Sequence, residues 1–259
     1  MKKTVPVLFL IVLFAAAGWY FFAKQPDPVS ELPPPQLPAV SSAESQATGP
    51  QPEDTTALPE PELMPEPLPL LSESDPEISR SLAEITDPYP LEEYLVKSEV
   101  ISRMVATIDA LTSRQVPSQI NPVKLVDGKL VTDMEGESII LSEENFARYD
   151  GYIELIQDAD ATAFVALYKR YQPLFQQAWE QNGGEGSFDD RLLEVINNLL
   201  QTPDVSGPVY LTKPEAVYLF EDPELETLTA GQKLLVRMGS ANAAVVKEKL
   251  TAIKEQISQ

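Results

Sequence analysis

Two pairs of carboxylates stand close enough in sequence to share a site, Asp189 with Asp190 and Glu224 with Glu226. Acid/base cleavage of a glycosidic bond needs two carboxyl groups about 5 to 9.5 Å apart, one of them holding its proton. Asp189 and Asp190, however, follow Ser187 in the first turn of an expected helix, where acids complement the helix dipole. In a chain with 40 acids among 259 residues, adjacent carboxylates also arise by chance. No catalytic residue is therefore assigned.

Gly183-Gly184-Glu185-Gly186 has the glycines of a phosphate cradle but not the Lys-Ser/Thr of a P-loop, and Glu185 would repel the phosphate. It reads as the end of a helix. An EF-hand register around Gly136 places Asp133 and Glu135 at positions three and five, but puts Val131 and Ser142 at positions one and twelve, where acids belong. A turn is expected there, and no metal or cofactor.

Arg148 and Arg237 each interrupt an apolar helical stretch. The local reading pairs Arg148 with Asp150 or Glu144 and sets Arg237 at the C-terminal end of its helix before Gly239. If the domain has a pocket, Arg148, Tyr149, Arg237 and Asn242 are the expected polar lining. A buried guanidinium needs acceptors in either case.

The chain contains no His and no Cys, which removes Ser-His-Asp and Cys-His nucleophiles, thiolate zinc sites and lipid attachment through Cys in one step. The formal charge of -21 argues against nucleic acid, whose binding requires clustered Lys and Arg. The domain is expected to be non-enzymatic.

The elements that would position these residues begin after two other segments. Val5 to Ala23 carries no charge, follows Lys2 and Lys3, and ends in Trp19, Tyr20, Phe21 and Phe22 before Lys24. At ~1.5 Å per residue its length nearly matches the ~30 Å hydrocarbon core, and the aromatic cluster reads as an interfacial belt. The lysines place the N-terminus in the cytoplasm and the remainder outside it. The rival reading, a cleaved signal peptide ending at Ala15-Ala16-Ala17, would leave Gly18-Trp19-Tyr20-Phe21-Phe22 as an unburied apolar tail. Residues 1–24 are accordingly expected to be a cytoplasmic start and transmembrane anchor, with residues 5–23 in the membrane.

Residues 25–73 contain thirteen prolines, the acids Asp27, Glu31, Glu44, Glu53, Asp54, Glu60, Glu62 and Glu66 ahead of Glu73, and no base. Missing backbone donors and like-charge repulsion predict a disordered acidic spacer making no stable contacts with the domain. From residue 74 to 259 the pattern is mainly α with a small β-hairpin element, an α+β multi-helix globular domain. Asp75-Pro76 reads as an N-cap with proline following, and Ile78, Leu82 and Ile85 share a face. A long amphipathic helix follows from Leu91 to about Arg114. Asp127-Gly128, between apolar pairs, predicts a two- or three-stranded ribbon. Further helices are expected at 142–157, at 160–182 with a kink or break near Pro173, after Ser187, and from the Thr229/Gln232 capping box to Gly239, with Ser240 capping the last. Phe164, Leu174, Phe175 and Trp179 should lie at the centre of the core, while residues 203–223 carry two apolar runs of undecided structure.

The ordered strings Arg148-Tyr149-Asp150, Pro173-Leu174-Phe175-Gln176, Phe188 with Arg191-Leu192, Thr202-Pro203, Asp222-Pro223-Glu224-Leu225-Glu226, Gln232-Lys233-Leu234-Leu235 with Arg237-Met238-Gly239, and Asn242 together resemble an uncharacterised bacterial family, domain of unknown function 3014. The resemblance extends from about residue 72 and implies the same layout of apolar segment, proline-rich stretch and domain. It implies no activity, cofactor or catalytic residue. The leading expectation is a single-pass protein of the bacterial inner membrane with a periplasmic domain for binding or scaffolding, its partner an envelope protein or cell-wall component. The alternative is a hydrolase or lyase that acts on envelope glycans with Asp and Glu alone.

Overall fold

The apolar residues of the C-terminal two-thirds recur every three to four positions, and each stripe has to be covered by another element. In the computed structural model, which describes residues 67–86, 95–123, 129–158, 160–215 and 217–258, those stripes meet in one helical core. The expected anchor, the expected tether up to Glu66, and Asp127-Gly128 lie outside the described residues. Among the described residues no helix is long and apolar enough to cross a membrane.

Helix α1 (Asp75–Thr86) buries Ile78 and Leu82. The Ile78 N–H donates to the Ser74 carbonyl at 2.9 Å, so the cap position is Ser74 rather than Asp75. Asp75 caps a different helix: its carboxylate accepts from the Glu99 and Val100 N–H groups at 2.7 and 2.8 Å, at the start of α2 (Val100–Ala110). A carboxylate there meets the unpaired donors and the positive end of the dipole. Helix α2 starts later than the apolar spacing predicts, because Leu95 forms an antiparallel bridge with Val123 and Val96 N–H donates to the Pro122 carbonyl at 2.7 Å. Upstream, Leu68 and Leu71 pack against the core, so the end of the stretch read as spacer touches the domain.

The β structure is a four-stranded antiparallel sheet in sequence order, β1 (Thr132–Glu135), β2 (Ser138–Leu141), β3 (Tyr210–Thr212) and β4 (Leu219–Phe220). Its tight hairpin turns at Gly136, φ 65°. The undecided stretch 203–223 thus supplies half of the sheet. The register Ile139↔Leu211↔Phe220 puts these side chains on one face, and with Leu141, Val209 and Val236 they form a second, smaller apolar cluster. Asp133, Ile140 and Tyr210 share the opposite face.

The helix expected over 142–157 is two pieces, α3 (Glu144–Ala147) and α4 (Asp150–Asp158), joined at Arg148-Tyr149 by a tighter turn in which Tyr149 N–H donates to the Phe146 carbonyl at 3.0 Å. Helix α5 (Ala161–Gln181) opens on an Asp160 cap and runs through Pro173 without a break. Pro173 is exposed while Leu174 and Phe175 beside it are buried, so packing of the inner face offsets the lost N–H. Trp179 sits at the edge of the core instead of its centre, its ring covering Gly184, where a Cβ would stand 2.0 Å from the indole.

Ser187 caps α6 (Phe188–Leu200) as the sequence predicts. After the short α7 (Pro223–Thr227), the Thr229/Gln232 capping box opens α8 (Ala230–Arg237). In α9 (Ser240–Ile257) the cap position falls to Gly239, with Ser240 the first helical residue. Helix α2 packs on α5 and α6, and α9 lies across α4, α5 and α6, which closes the core.

Candidate functional site

Arg237 ends α8 with its side chain turned inward, and is 5% exposed. Its guanidinium lies 5.3 Å from the Phe220 ring centroid on β4, a cation–π placement. Burial pushes its pKa down from the ordinary value, opposed by Tyr149 and Glu226. Burial likewise pushes the Tyr149 hydroxyl up, with Arg237 and Arg148 pulling the other way.

Asn145, fully buried on α3, ties this region together. Its Nδ2 donates to the Arg237 carbonyl at 2.9 Å, and its Oδ1 accepts from Arg148 Nη1 at 2.8 Å and from Val131 N–H at 3.2 Å. Asn242 Nδ2 donates to the carbonyls of Met238 at 3.0 Å and Phe146 at 3.3 Å. Arg148, Tyr149, Arg237 and Asn242 are therefore gathered at one seam, where the turn between α3 and α4 meets the turn between α8 and α9. Beside it, buried Lys233 pairs with Glu226, whose second oxygen accepts from Phe220 N–H at 2.8 Å. Glu226 thus fastens β4 to α8.

The concave feature lies next to the seam and is lined by none of those four residues: a cleft of about 710 Å³. Leu141 and Ile140 from β2, Phe146 from α3, Val209, Val236 and Ala243 give it apolar walls. Gly239 makes the floor possible. Its φ of 86° turns α8 into α9, and a Cβ there would stand 2.8 Å from the Phe146 ring. The loop 202–208 forms the far wall, held by Lys247, whose ammonium donates to the Thr202 carbonyl at 2.7 Å and to Asp204 at 2.6 Å.

The rim of the cleft is acidic. Asp133, Glu135, Glu143, Glu144 and Asp204 line it, all are exposed, and no Lys or Arg is among the lining residues. Asp204 is paired with Lys247, and Glu135 accepts from the Tyr210 hydroxyl at 2.7 Å. Asp133, Glu143 and Glu144 have no ion-pair partner among the described residues.

One carboxylate of each pair singled out by spacing, Asp189 and Glu226, does structural work. Asp189 accepts a hydrogen bond from the Tyr168 hydroxyl, and burial, helped by that bond, pushes the hydroxyl far up. Glu224 N–H donates to Asp222 Oδ1 at 2.8 Å in the cap of α7, and Glu226 holds Lys233. The sequence offers no signal for Asn145 or for the Lys233–Glu226 pair, and it presents Asp133 and Glu135 only as a failed metal loop and Glu144 only as a local partner of Arg148, not as parts of one cleft. Glu143-Glu144 was a visible signal, but in so acidic a chain adjacency alone carries no information.

Fold and site together define a class: a mainly helical domain with a small antiparallel sheet and an acid-rimmed cleft where the two meet. The family model described as "Protein of unknown function (DUF3014)" matches residues 100–254, from the first residue of α2 into α9, and the chain belongs to this family. No curated protein and no solved structure matches it.

Proposed function

We propose that this domain is a non-enzymatic binding or scaffolding module, held in the periplasm by a bacterial inner-membrane anchor at residues 5–23 and engaging an envelope protein or cell-wall component through its cleft. The observation that carries the reading is the character of the cleft: apolar walls, and a rim whose five carboxylates are all exposed. Acid/base hydrolysis requires a carboxyl group that keeps its proton at neutral pH, which burial provides. Exposed carboxylates at a concave apolar surface are instead suited to recognition. The Lys-only N-terminal flank and the charge-free segment of Val5 to Ala23 support the membrane placement.

The test is site-specific photo-crosslinking of the full chain in its native envelope, with the reactive residue at Ser206 in the cleft or at Glu154 on the exposed side of α4. A discrete crosslinked species from Ser206, absent from Glu154, is expected. Equal products from both positions, or none from Ser206, would overturn the reading.

A further inference from the structure

The cleft also carries information about the chemistry of its occupant. Its walls present aliphatic and aromatic surface from Ile140, Phe146, Val209 and Val236, while three rim carboxylates, Asp133, Glu143 and Glu144, have no cation paired with them among the described residues. An apolar floor under an unpaired anionic rim matches one kind of side chain. Lys and Arg lay an alkyl stem along apolar surface and hold their charge at its edge. A volume of about 710 Å³ lies in the range that encloses a drug-sized ligand, and it exceeds what a single bare cation needs.

Charge excludes the nearest alternatives. The chain's own residues 25–73 are acidic and contain no base, so this rim repels them. Anionic lipid headgroups are repelled for the same reason, and the formal charge of -21 extends the field that would steer a cationic partner inward. We infer that the cleft binds a Lys- or Arg-rich polypeptide segment of a protein partner, with alkyl stems on the floor and ammonium or guanidinium groups paired with Asp133, Glu143 and Glu144. The inference rests on the cleft being the binding surface proposed above.

It is tested with the full chain in non-ionic detergent and a fluorescein-labelled peptide of alternating Lys and Ala, followed by anisotropy. Binding is expected, weakened about tenfold when Asp133→Asn, Glu143→Gln and Glu144→Gln are combined, because several rim ion pairs of modest individual strength are lost. A control combining Glu84→Gln, Glu154→Gln and Glu255→Gln removes the same charge from exposed positions outside the cleft and should leave binding within about twofold. Equal weakening by both triples would reduce the effect to general attraction and overturn the inference, as would absence of binding. If Ser206 still crosslinks a discrete species in the envelope after such a result, the binding reading stands and the basic occupant alone falls. If Ser206 crosslinks nothing, both fall together.

Discussion

The helical core and the sheet side are stabilised by different means. Among the described residues, helices α1, α2, α4, α5, α6, α8 and α9 contribute to a cluster of 35 buried hydrophobic residues, whereas the sheet side has five: Leu141, Val209, Leu211, Phe220 and Val236. At ~1.5 to 3 kcal/mol for each large apolar side chain buried, burial dominates in the first region and contributes much less in the second. Specific polar ties hold the sheet: Asn145 to Arg237 and Val131, Glu226 to Lys233 and Phe220, and Lys247 to the loop before β3. The open cleft occurs on this side, where elements meet through hydrogen bonds and leave concave space between them.

The comparison breaks first in the core. Phe175 stacks on Phe188 at 5.8 Å and meets Tyr168 edge-on at 5.3 Å, so Phe175→Ala removes the middle of an aromatic row. A loss of ~3 to 5 kcal/mol is expected from such a deletion, read as a lower denaturant midpoint for the whole domain. An unchanged midpoint would remove burial as the account of the helical region.

A smaller effect is expected from Glu226→Gln, which removes the negative charge paired with the buried Lys233 ammonium. The loss should be about 2 kcal/mol, below the value for a fully buried pair because Glu226 is partly exposed. It should be local: hydrogen exchange at Leu219 and Phe220 should accelerate while amides of α5 keep their protection. Uniform acceleration would show that sheet and core unfold as one unit.

The smallest effect is alkaline. Tyr168 in the core and Tyr149 at the seam both have hydroxyl pKa values raised by burial. The unfolded chain therefore releases these protons first, and the stability they contribute is present below pH ~10 and lost above it. At pH 10.5 the loss should be under about 1 kcal/mol for each tyrosine. Tyr168→Phe and Tyr149→Phe should each flatten the decline above pH 10, and a decline unaffected by either would assign the effect to other groups.

Arg148 and Arg237 are visible in the sequence because charged groups inside apolar stripes stand out against periodicity, and Tyr149 and Asn242 enter only beside them as expected lining of a pocket. Their arrangement was not visible, since the link between them is Asn145, an ordinary residue until its carboxamide is seen spanning α3 and α8. The cleft was hidden for a related reason: its lining comes from separate segments of the chain, none exceptional alone.

What the sequence determined by itself is local. Turn-to-turn apolar spacing, the Ser187 cap and the Thr229/Gln232 box involve partners within a few residues, so they can be read without knowing the fold. Tertiary structure decided that Asp75 caps α2, that β3 and β4 complete the sheet begun by the Gly136 hairpin, and that Gly239 faces Phe146 to floor the cleft. These depend on groups far apart in sequence, and strands of two to four residues carry too little periodicity to announce their partners.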